Sequence, residues 1–244
     1  MKKVSLIFGL LLIMSTAAFT ATVEDYDLTS GTKATVYDLG DATLNYTISS
    51  TDLIQGVTAT LIAGGFHTAT VPGDNPSRIA TLTDGTFAAD GLTIIASDAW
   101  YPNESLVLEY SFATLVDISD IRIFSGHDGD GARAWINAKI EVDKGAGYYT
   151  LVENLTTGEF GQPKPSTSMV GVVRVYDDAA GFIAAHVEKV KFTFYSVSHN
   201  SLGTFRAWDY NGPPENNYSN QGTILKEIDI IGVTPTRTEG WEKY

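Results

Sequence analysis

Short runs rich in Val, Ile, Thr, Tyr and Phe recur along this chain, separated by clusters of Gly, Asp, Asn and Pro, and this pattern constrains the fold most. Such runs form strands, and the clusters between them form turns. Leu106, Leu108 and Tyr110 lie two residues apart, as do Phe192 and Phe194. A period of two buries one face of a sheet and exposes the other. The sequence therefore predicts an all-β protein, an antiparallel β-sandwich of the jelly-roll type.

Three stretches depart from this pattern. The Ala-rich stretch 179–189 is consistent either with a short helix or with an irregular crossover into the next strand. The stretch 157–168 contains two glycines and two prolines, which predict a loop. The stretch 196–222 is longer than an ordinary turn, and loops of that length are typically functional or disordered. Its aromatic residues argue against disorder.

The first residues have the layout of an export signal. Lys2 and Lys3 precede an apolar run from Val4 to Met14, and mostly small residues follow as far as Ala21. This order is typical of a secretory signal peptide. The apolar run is about half as long as the roughly twenty residues that a membrane span needs. We therefore expect residues 1–21 to be a signal peptide and the protein to be secreted, extracellular or periplasmic, with no membrane span.

The charge balance excludes one class of partner. The chain has 16 basic and 29 acidic residues and a formal net charge of −13. Nucleic-acid binding needs a basic face, so we expect no nucleic-acid partner. The acidity suits either solubility or contact with divalent cations, and composition leaves both open. The chain has no cysteine, so its fold must rest on apolar burial, with or without a metal.

Several segments in a fixed order resemble one known family. Residues 82–86 read Leu-Thr-Asp-Gly-Thr, residues 117–124 match the family's first core strand, and residues 226–232 match its closing strand. Between them, residues 138–152 and 183–195 match its intervening strands. The chain is similar to the discoidin or coagulation-factor type C domains, which belong to the galactose-binding-like jelly-roll superfamily.

This resemblance sets the expected domain organisation. It covers residues 51–232, which we expect to form one discoidin-like β-sandwich domain. Residues 22–50 are then an N-terminal β extension packed on the sandwich, and residues 233–244 are a polar C-terminal tail. The chain length after the signal peptide suits a single core.

The resemblance also implies a structural Ca²⁺. In the family, the Asp of the turn and the Glu of the closing strand converge on the ion together with backbone carbonyls. The matching residues are Asp84 and Glu227, and Thr86 is expected to add an oxygen. Ca²⁺ prefers such hard oxygen ligands, and Gly85 helps to fold the turn. The alternative is that Asp84 only caps a turn and Glu227 is an ordinary exposed strand residue.

Binding in this superfamily is implied to lie in loops at one end of the sandwich. Two segments, 125–135 and 196–222, follow strands of the same predicted direction. Both contain aromatic rings, which stack on sugars, and planar polar groups, which bind hydroxyls. The predicted ligand-binding residues are His127, Arg133, Trp135, His199, Asn200, Arg206, Trp208 and Tyr210. Each Trp taken alone is also consistent with a buried plug over the end of the sandwich.

The sequence contains no recognisable catalytic arrangement. It has no GxSxG or HExxH motif and no cysteine, and its four histidines are scattered. We therefore predict no catalytic residues and no enzyme. The first hypothesis is a secreted module that recognises carbohydrate at a cell surface or in an extracellular matrix. The second is a structural or adhesive component of an extracellular assembly with a protein partner, and the third is a glycan-acting hydrolase using a carboxylate pair.

Overall fold

The computed structural model describes residues 22–28, 48–64, 79–86, 93–94, 105–127, 136–156, 169–195, 197–199, 205–207, 219–220 and 223–233. Within these ranges the chain forms twelve strands and a 3-10 turn at Thr81–Thr83. The strands are β1 Thr22–Leu28, β2 Thr60–Ala63, β3 Thr93–Ile94, β4 Ser105–His127, β5 Asn137–Asp143, β6 Tyr148–Thr156, β7 Met169–Tyr176, β8 Ala184–Tyr195, β9 Val197–His199, β10 Phe205–Ala207, β11 Ser219–Asn220 and β12 Ile224–Gly232. The prediction of an all-β, antiparallel sandwich is confirmed. The described part of the chain contains no helix with the length and apolar character that crossing a membrane requires.

Strand β4 belongs to both halves of the sandwich. Its first part pairs with β2 and β8, and its second part pairs with β7 and β12. The β4–β8 register shifts between Ser111 and Val116 and again between Val116 and Ile118, and such bulges bend a strand. The sequence pattern predicts two strands here, at 106–112 and 118–124. That prediction is wrong in one respect, because the chain bends without leaving the sheet.

The core lies between the two halves. Tyr110, Phe192 and Phe194 from the first half are almost fully buried and belong to the same cluster as Ile123 and Ile230 from the second half. The rings of Tyr110 and Phe192 meet edge to face with centroids 6.0 Å apart. Burial of apolar surface at about 25 cal/mol per Å² is what holds the two halves together. The alternating residues identified in the sequence therefore form the core.

Tight turns close one end of the sandwich. In the β5–β6 hairpin, Asp143 Oδ1 accepts hydrogen bonds from the backbone N–H groups of Gly145 and Gly147 at 2.8 and 3.0 Å. Between β7 and β8, Asp177 Oδ1 accepts from two backbone N–H groups in the same way. The stretch 179–189, for which the sequence allowed a helix or a crossover, is the end of this turn followed by the beginning of β8.

One further segment differs from the sequence prediction. The predicted loop 196–222 contains β9, β10 and β11, which form a separate three-stranded sheet in the order β10-β9-β11. The predicted loop 157–168 lies outside the described residues.

At the N-terminal side, β1 pairs with β7 over seven residues, at an edge of the main sheet. Residues 29–47 and 234–244 lie outside the described residues, so the packed extension and the polar tail stay predictions.

Candidate functional site

Two acidic residues are buried on β12, the last strand of the sandwich. Glu227 and Asp229 are both 0% exposed, and as residues two apart on one strand they lie on the same face of the sheet. Their neighbours Ile228 and Ile230 alternate with them and belong to the apolar core. The alternative interpretation of Glu227 as an ordinary exposed strand residue is therefore wrong. A buried carboxylate needs a partner, and the surroundings of Glu227 show where that partner would lie.

A tight turn packs directly on Glu227. The 3-10 turn at Thr81–Thr83 ends in Asp84 and Gly85, and Gly85 has a φ of +78°. This left-handed conformation is one that glycine adopts readily. The backbone N–H of Gly85 donates a hydrogen bond of 3.0 Å to Glu227 Oε1. The turn and the strand, far apart in the sequence, are thus joined at the carboxylate.

A second loop completes this region through Gln55. Its Nε2 donates to the carbonyl oxygen of Thr83 at 3.2 Å, and the neighbouring Gly56 N–H donates to the same oxygen at 2.6 Å. A Cβ atom placed on Gly85 would lie only 3.0 Å from Gln55 Oε1. The Gln55 side chain therefore rests against the turn, and a Cβ at residue 85 would have to displace its end slightly in addition to adopting a strained φ.

Several oxygens around this region lack a partner. Among the described residues, five buried side-chain polar atoms have no hydrogen bond, and all five are oxygens: Asp52 Oδ2, Gln55 Oε1, Tyr110 OH, Glu227 Oε2 and Asp229 Oδ1. A buried polar group without a partner costs about 1–3 kcal/mol, and more when it is charged. Such a concentration of bare oxygens indicates that a proton, a water molecule or a cation belongs among them.

The electrostatics of the same groups agree with this conclusion. Burial raises the pKa of Glu227 to about 9; the Gly85 N–H opposes this shift, and the charges of Asp229, Asp84 and Asp52 add to it. Burial likewise raises the pKa of Asp229 to about 7, although the Ser49 N–H donates to its Oδ2 at 2.8 Å. Burial also raises the pKa of Asp52. The Arg122 charge lowers the pKa of Asp229, yet the pKa values of all three carboxyls stay above their ordinary values.

The other two residues of the predicted metal set lie at the surface of the turn. Asp84 and Thr86 are exposed, and Asp84 Oδ1 accepts hydrogen bonds from Thr86 N at 2.9 Å and Thr86 Oγ1 at 2.7 Å. Asp84 thus caps its own turn, as the alternative interpretation proposes. It is nevertheless close enough for its charge to raise the pKa of Glu227. The structure brings Asp84, Thr86 and Glu227 to the same turn.

The donor set has the chemistry that a Ca²⁺ site needs, because its bare atoms are all oxygens and some of them are carboxylate oxygens. No three Asp, Glu, His or Cys side chains within the described ranges come together closely enough to hold a metal between them. A cation here would therefore need neutral oxygens as well as carboxylates. Backbone carbonyls and the Gln55 amide are groups of that kind. The predicted structural Ca²⁺ stays a prediction.

The predicted ligand-binding residues are only partly within the described chain. His127 ends β4, His199 ends β9, and Arg206 lies in β10. In the small sheet, Phe205 pairs with His199 and Arg206 pairs with Ser198, so two of the predicted residues share that sheet. The remaining predicted residues lie outside the described residues: Arg133, Trp135, Asn200, Trp208 and Tyr210.

Strand register places the ends of several strands beside one another. Ser105 at the beginning of β4 pairs with Tyr195 at the end of β8. Asn137 at the beginning of β5 pairs with Thr156 at the end of β6, and β5 also pairs with β8. Strands β4 and β5 therefore begin at the same end of the first half of the sandwich at which β6 and β8 finish.

The second half of the sandwich has a matching group of ends. His127 at the end of β4 pairs with Met169 at the beginning of β7. Residues 128–135 connect β4 of this half to β5 of the first half, and residues 157–168 connect β6 back to β7. We call the strand ends of the first half the loop-bearing end; they are Ser105, Asn137, Thr156 and Tyr195. The predicted recognition segment 125–135 ends there, and the segment 196–222 begins there.

Comparison with known proteins finds solved structures that are similar to this chain, but no matching family. No family model matches the chain, and no curated protein matches it. One similar solved structure is that of the CBM32-1, CBM32-2 and M60 catalytic domains from Clostridium perfringens ZmpB, with 12% identity and a TM-score of 0.41. The match covers 87% of this chain and only 17% of that one.

A second similar structure is reduced XRCC1 bound to the DNA pol beta catalytic domain, with 13% identity and a TM-score of 0.33. That match covers 70% of this chain and 95% of the other. Likenesses at this level do not define what the present chain binds. The class that fold and site define is an antiparallel β-sandwich with buried carboxylates on its closing strand.

Proposed function

We propose that this chain is a non-catalytic binding module that acts outside the cell and recognises carbohydrate through the segments at the loop-bearing end. The observation that carries the proposal is the strand register, because segment 128–135 ends at the beginning of β5, beside the end of β8 from which segment 196–222 departs. Rigid strands that carry long connecting segments are a common framework for recognition. The residue types of these two segments, aromatic rings together with His, Arg and Asn, suit sugar binding.

We further propose that a structural Ca²⁺ lies at the Gly85 turn. Asp84 and Glu227, with main-chain oxygens of the turn, would hold it, in keeping with the family resemblance. The ion would supply the positive charge that the buried carboxylates lack. Since it would bind the folded state and not the unfolded chain, it would stabilise the fold by mass action. Its proposed role is to fix the turn on β12.

The carbohydrate proposal is tested by retention of the purified chain on a panel of immobilised polysaccharides and on a glycan array. We expect retention on at least one polysaccharide, with a clear loss in the variant Trp208→Ala. The matched control is Tyr149→Ala, because Tyr149 is an aromatic residue that is 41% exposed beside the tight β5–β6 hairpin, away from the loop-bearing end. This control should bind like the wild type.

The other outcomes separate the competing functions. Equal loss in both variants, or no retention on any polysaccharide, would reject sugar recognition at this end. Specific binding to a purified extracellular protein alone would favour the adhesive or structural role. Turnover of a glycan during incubation would favour the hydrolase.

A further inference from the structure

Two buried side-chain oxygens face the same turn. Gln55 Oε1 and Glu227 Oε2 both lack a hydrogen-bond partner within the described part of the chain. The other polar atom of each side chain is already engaged with that turn: Gln55 Nε2 with the Thr83 carbonyl, and Glu227 Oε1 with the Gly85 N–H. Each side chain is therefore held in place by one atom and presents its second atom bare.

The residues of the sequence motif behave differently. Asp84 and Thr86 are exposed, and they bond to each other through Asp84 Oδ1 and the Thr86 hydroxyl. These bonds fix the orientation of the Asp84 carboxylate within its own turn. The motif thus shapes the turn, whereas the bare oxygens come from elsewhere.

We infer that Gln55 supplies, together with Glu227, a buried side-chain ligand of the proposed Ca²⁺ site, beside the exposed Asp84 of the same turn. The inference rests on the proposed structural Ca²⁺ and adds a ligand to it. Ca²⁺ accepts amide carbonyl oxygens of Asn and Gln alongside carboxylates. An amide oxygen and main-chain oxygens would complete a site that has fewer than three acidic or histidine side chains among the described residues.

One other arrangement would satisfy the same two atoms. A proton on Glu227 would turn Oε2 into a donor, and Gln55 Oε1 could accept from it. A cation would instead be bound by both oxygens at once. The two arrangements differ in what replacement of Gln55 does, since only a ligand changes the affinity for Ca²⁺.

The experiment is a calorimetric titration of the purified chain with Ca²⁺, with Mg²⁺ as the comparison ion, on four proteins: wild type, Gln55→Met, Gln55→Glu and Thr51→Val. Gln55→Met keeps the length of the side chain but removes its oxygen. We expect it to raise the Kd for Ca²⁺ about tenfold or more, because affinity at such sites follows the number and charge of the ligands. Gln55→Glu restores an oxygen with added charge and should bind Ca²⁺ more tightly than wild type.

Thr51→Val is the matched control, because it removes an exposed hydroxyl from the loop that carries Gln55. Its Kd should stay within about twofold of wild type, well under the roughly 1.4 kcal/mol that a tenfold change represents. Circular dichroism shows whether each variant is folded, and if Gln55→Met is not, Gln55→Glu decides, because wild-type affinity in that variant would reject the ligand assignment.

The outcomes separate this inference from the proposal on which it rests. Wild-type chain that takes up no Ca²⁺ would reject both the structural Ca²⁺ and its ligands. Wild-type chain that binds Ca²⁺, with both Gln55 variants at wild-type affinity, would reject the ligand assignment alone. A loss of affinity in Thr51→Val as large as that in Gln55→Met would also reject the ligand assignment, because the effect would then belong to the loop as a whole.

Discussion

Two groups of acidic residues in this protein have opposite surroundings. On the outer face of the first half of the sandwich, Glu141 lies between Lys191, at 2.9 Å, and Lys139, at 3.4 Å. On the same face, Glu109 accepts hydrogen bonds from Lys189 Nζ at 3.0 Å and from the Tyr148 hydroxyl. Partial burial alone would raise the pKa of each carboxyl, but these partners outweigh it and lower the pKa of both.

On β12 the balance is reversed. Glu227 and Asp229 are fully buried, and each has an oxygen without a partner among the described residues. Their pKa values are raised to about 9 and about 7. The described surroundings thus favour the charged form of the carboxyl in one place and its protonated form in the other. A buried carboxyl of the second kind can take a proton or a cation from solution, and the following experiments test that difference.

The largest expected effect is on the pH dependence of stability in the absence of metal. Burial raises the pKa of Glu227 and Asp229 above their ordinary values of 4.5 and 3.8, so the folded chain holds protons that the unfolded chain releases. Their contribution to stability is complete below about pH 4 and is lost as the pH rises toward 9. With a chelator present, we expect the melting temperature to fall by roughly 5–10 °C between pH 5 and pH 8.

Two comparisons sharpen this prediction. Glu109 and Glu141 have lowered pKa values, so they change their protonation only below about pH 5. They therefore do not mask the trend in melting temperature between pH 5 and pH 8. Excess Ca²⁺ should raise the melting temperature more at pH 8 than at pH 5, since the ion competes with protons for the carboxylates. A melting temperature independent of both pH and Ca²⁺ in this range would mean that the β12 carboxylates have partners of their own.

The next effect concerns the turn that covers Glu227. Gly85→Ala places a Cβ 3.0 Å from Gln55 Oε1 at a φ of +78°, so it combines a steric conflict with backbone strain. We expect a loss of about 2–3 kcal/mol in the free energy of unfolding, measured by urea denaturation. Gly181→Ala is the control, because Gly181 has a φ of +74° but nothing within 4 Å of the new Cβ. The Gly181→Ala variant should lose only about 1 kcal/mol in the free energy of unfolding. Equal losses in the two variants would show that Gln55 has no steric effect at residue 85.

A smaller effect distinguishes charge from shape at Glu227. Glu227→Gln keeps the size of the side chain and removes its charge. In a chelator at pH 8 we expect the variant to be as stable as wild type or more stable by about 1 kcal/mol, because wild-type Glu227, with its raised pKa, must take up a proton on folding and the variant need not. Addition of Ca²⁺ should then stabilise the wild type but not the variant, as measured by thermal melting. A variant that is strongly destabilised without metal would show that the charge already has a partner.

The sequence predicted the strands of the sandwich better than the way in which they are connected. Alternation at Leu106, Leu108 and Tyr110 identified the buried face, because period-two burial is a local property of a strand. The bend in β4 was missed, since the bulges that produce it depend on β8 and leave no clear break in the run between 112 and 118. Local pattern therefore predicted which strands exist better than how they join.

The candidate site shows the same division. The turn at Asp84 and Gly85 and the closing Glu227 were identified by resemblance, and the structure joins them through the Gly85 N–H. Gln55 was not identified, because a glutamine in a polar loop has no motif and its position beside Gly85 follows only from tertiary packing. Burial of Glu227 was equally invisible, since it is produced by a turn 142 residues earlier in the chain.

The smallest expected effect lies on the paired face and completes the comparison. Glu141 is 16% exposed and lies within 4 Å of two lysines, so Glu141→Gln should lower the free energy of unfolding by no more than about 1 kcal/mol, with no dependence on Ca²⁺. Glu153→Gln is the control, because Glu153 pairs with Lys139 at 3.3 Å but is 63% exposed, and it should change stability by less than about 0.5 kcal/mol. The loss in Glu141→Gln should shrink in high salt, which screens exposed pairs. A Ca²⁺-dependent change at Glu141 would show that the two groups of carboxylates are coupled, and the dependence on an outside cation would then belong to the whole sandwich instead of to β12.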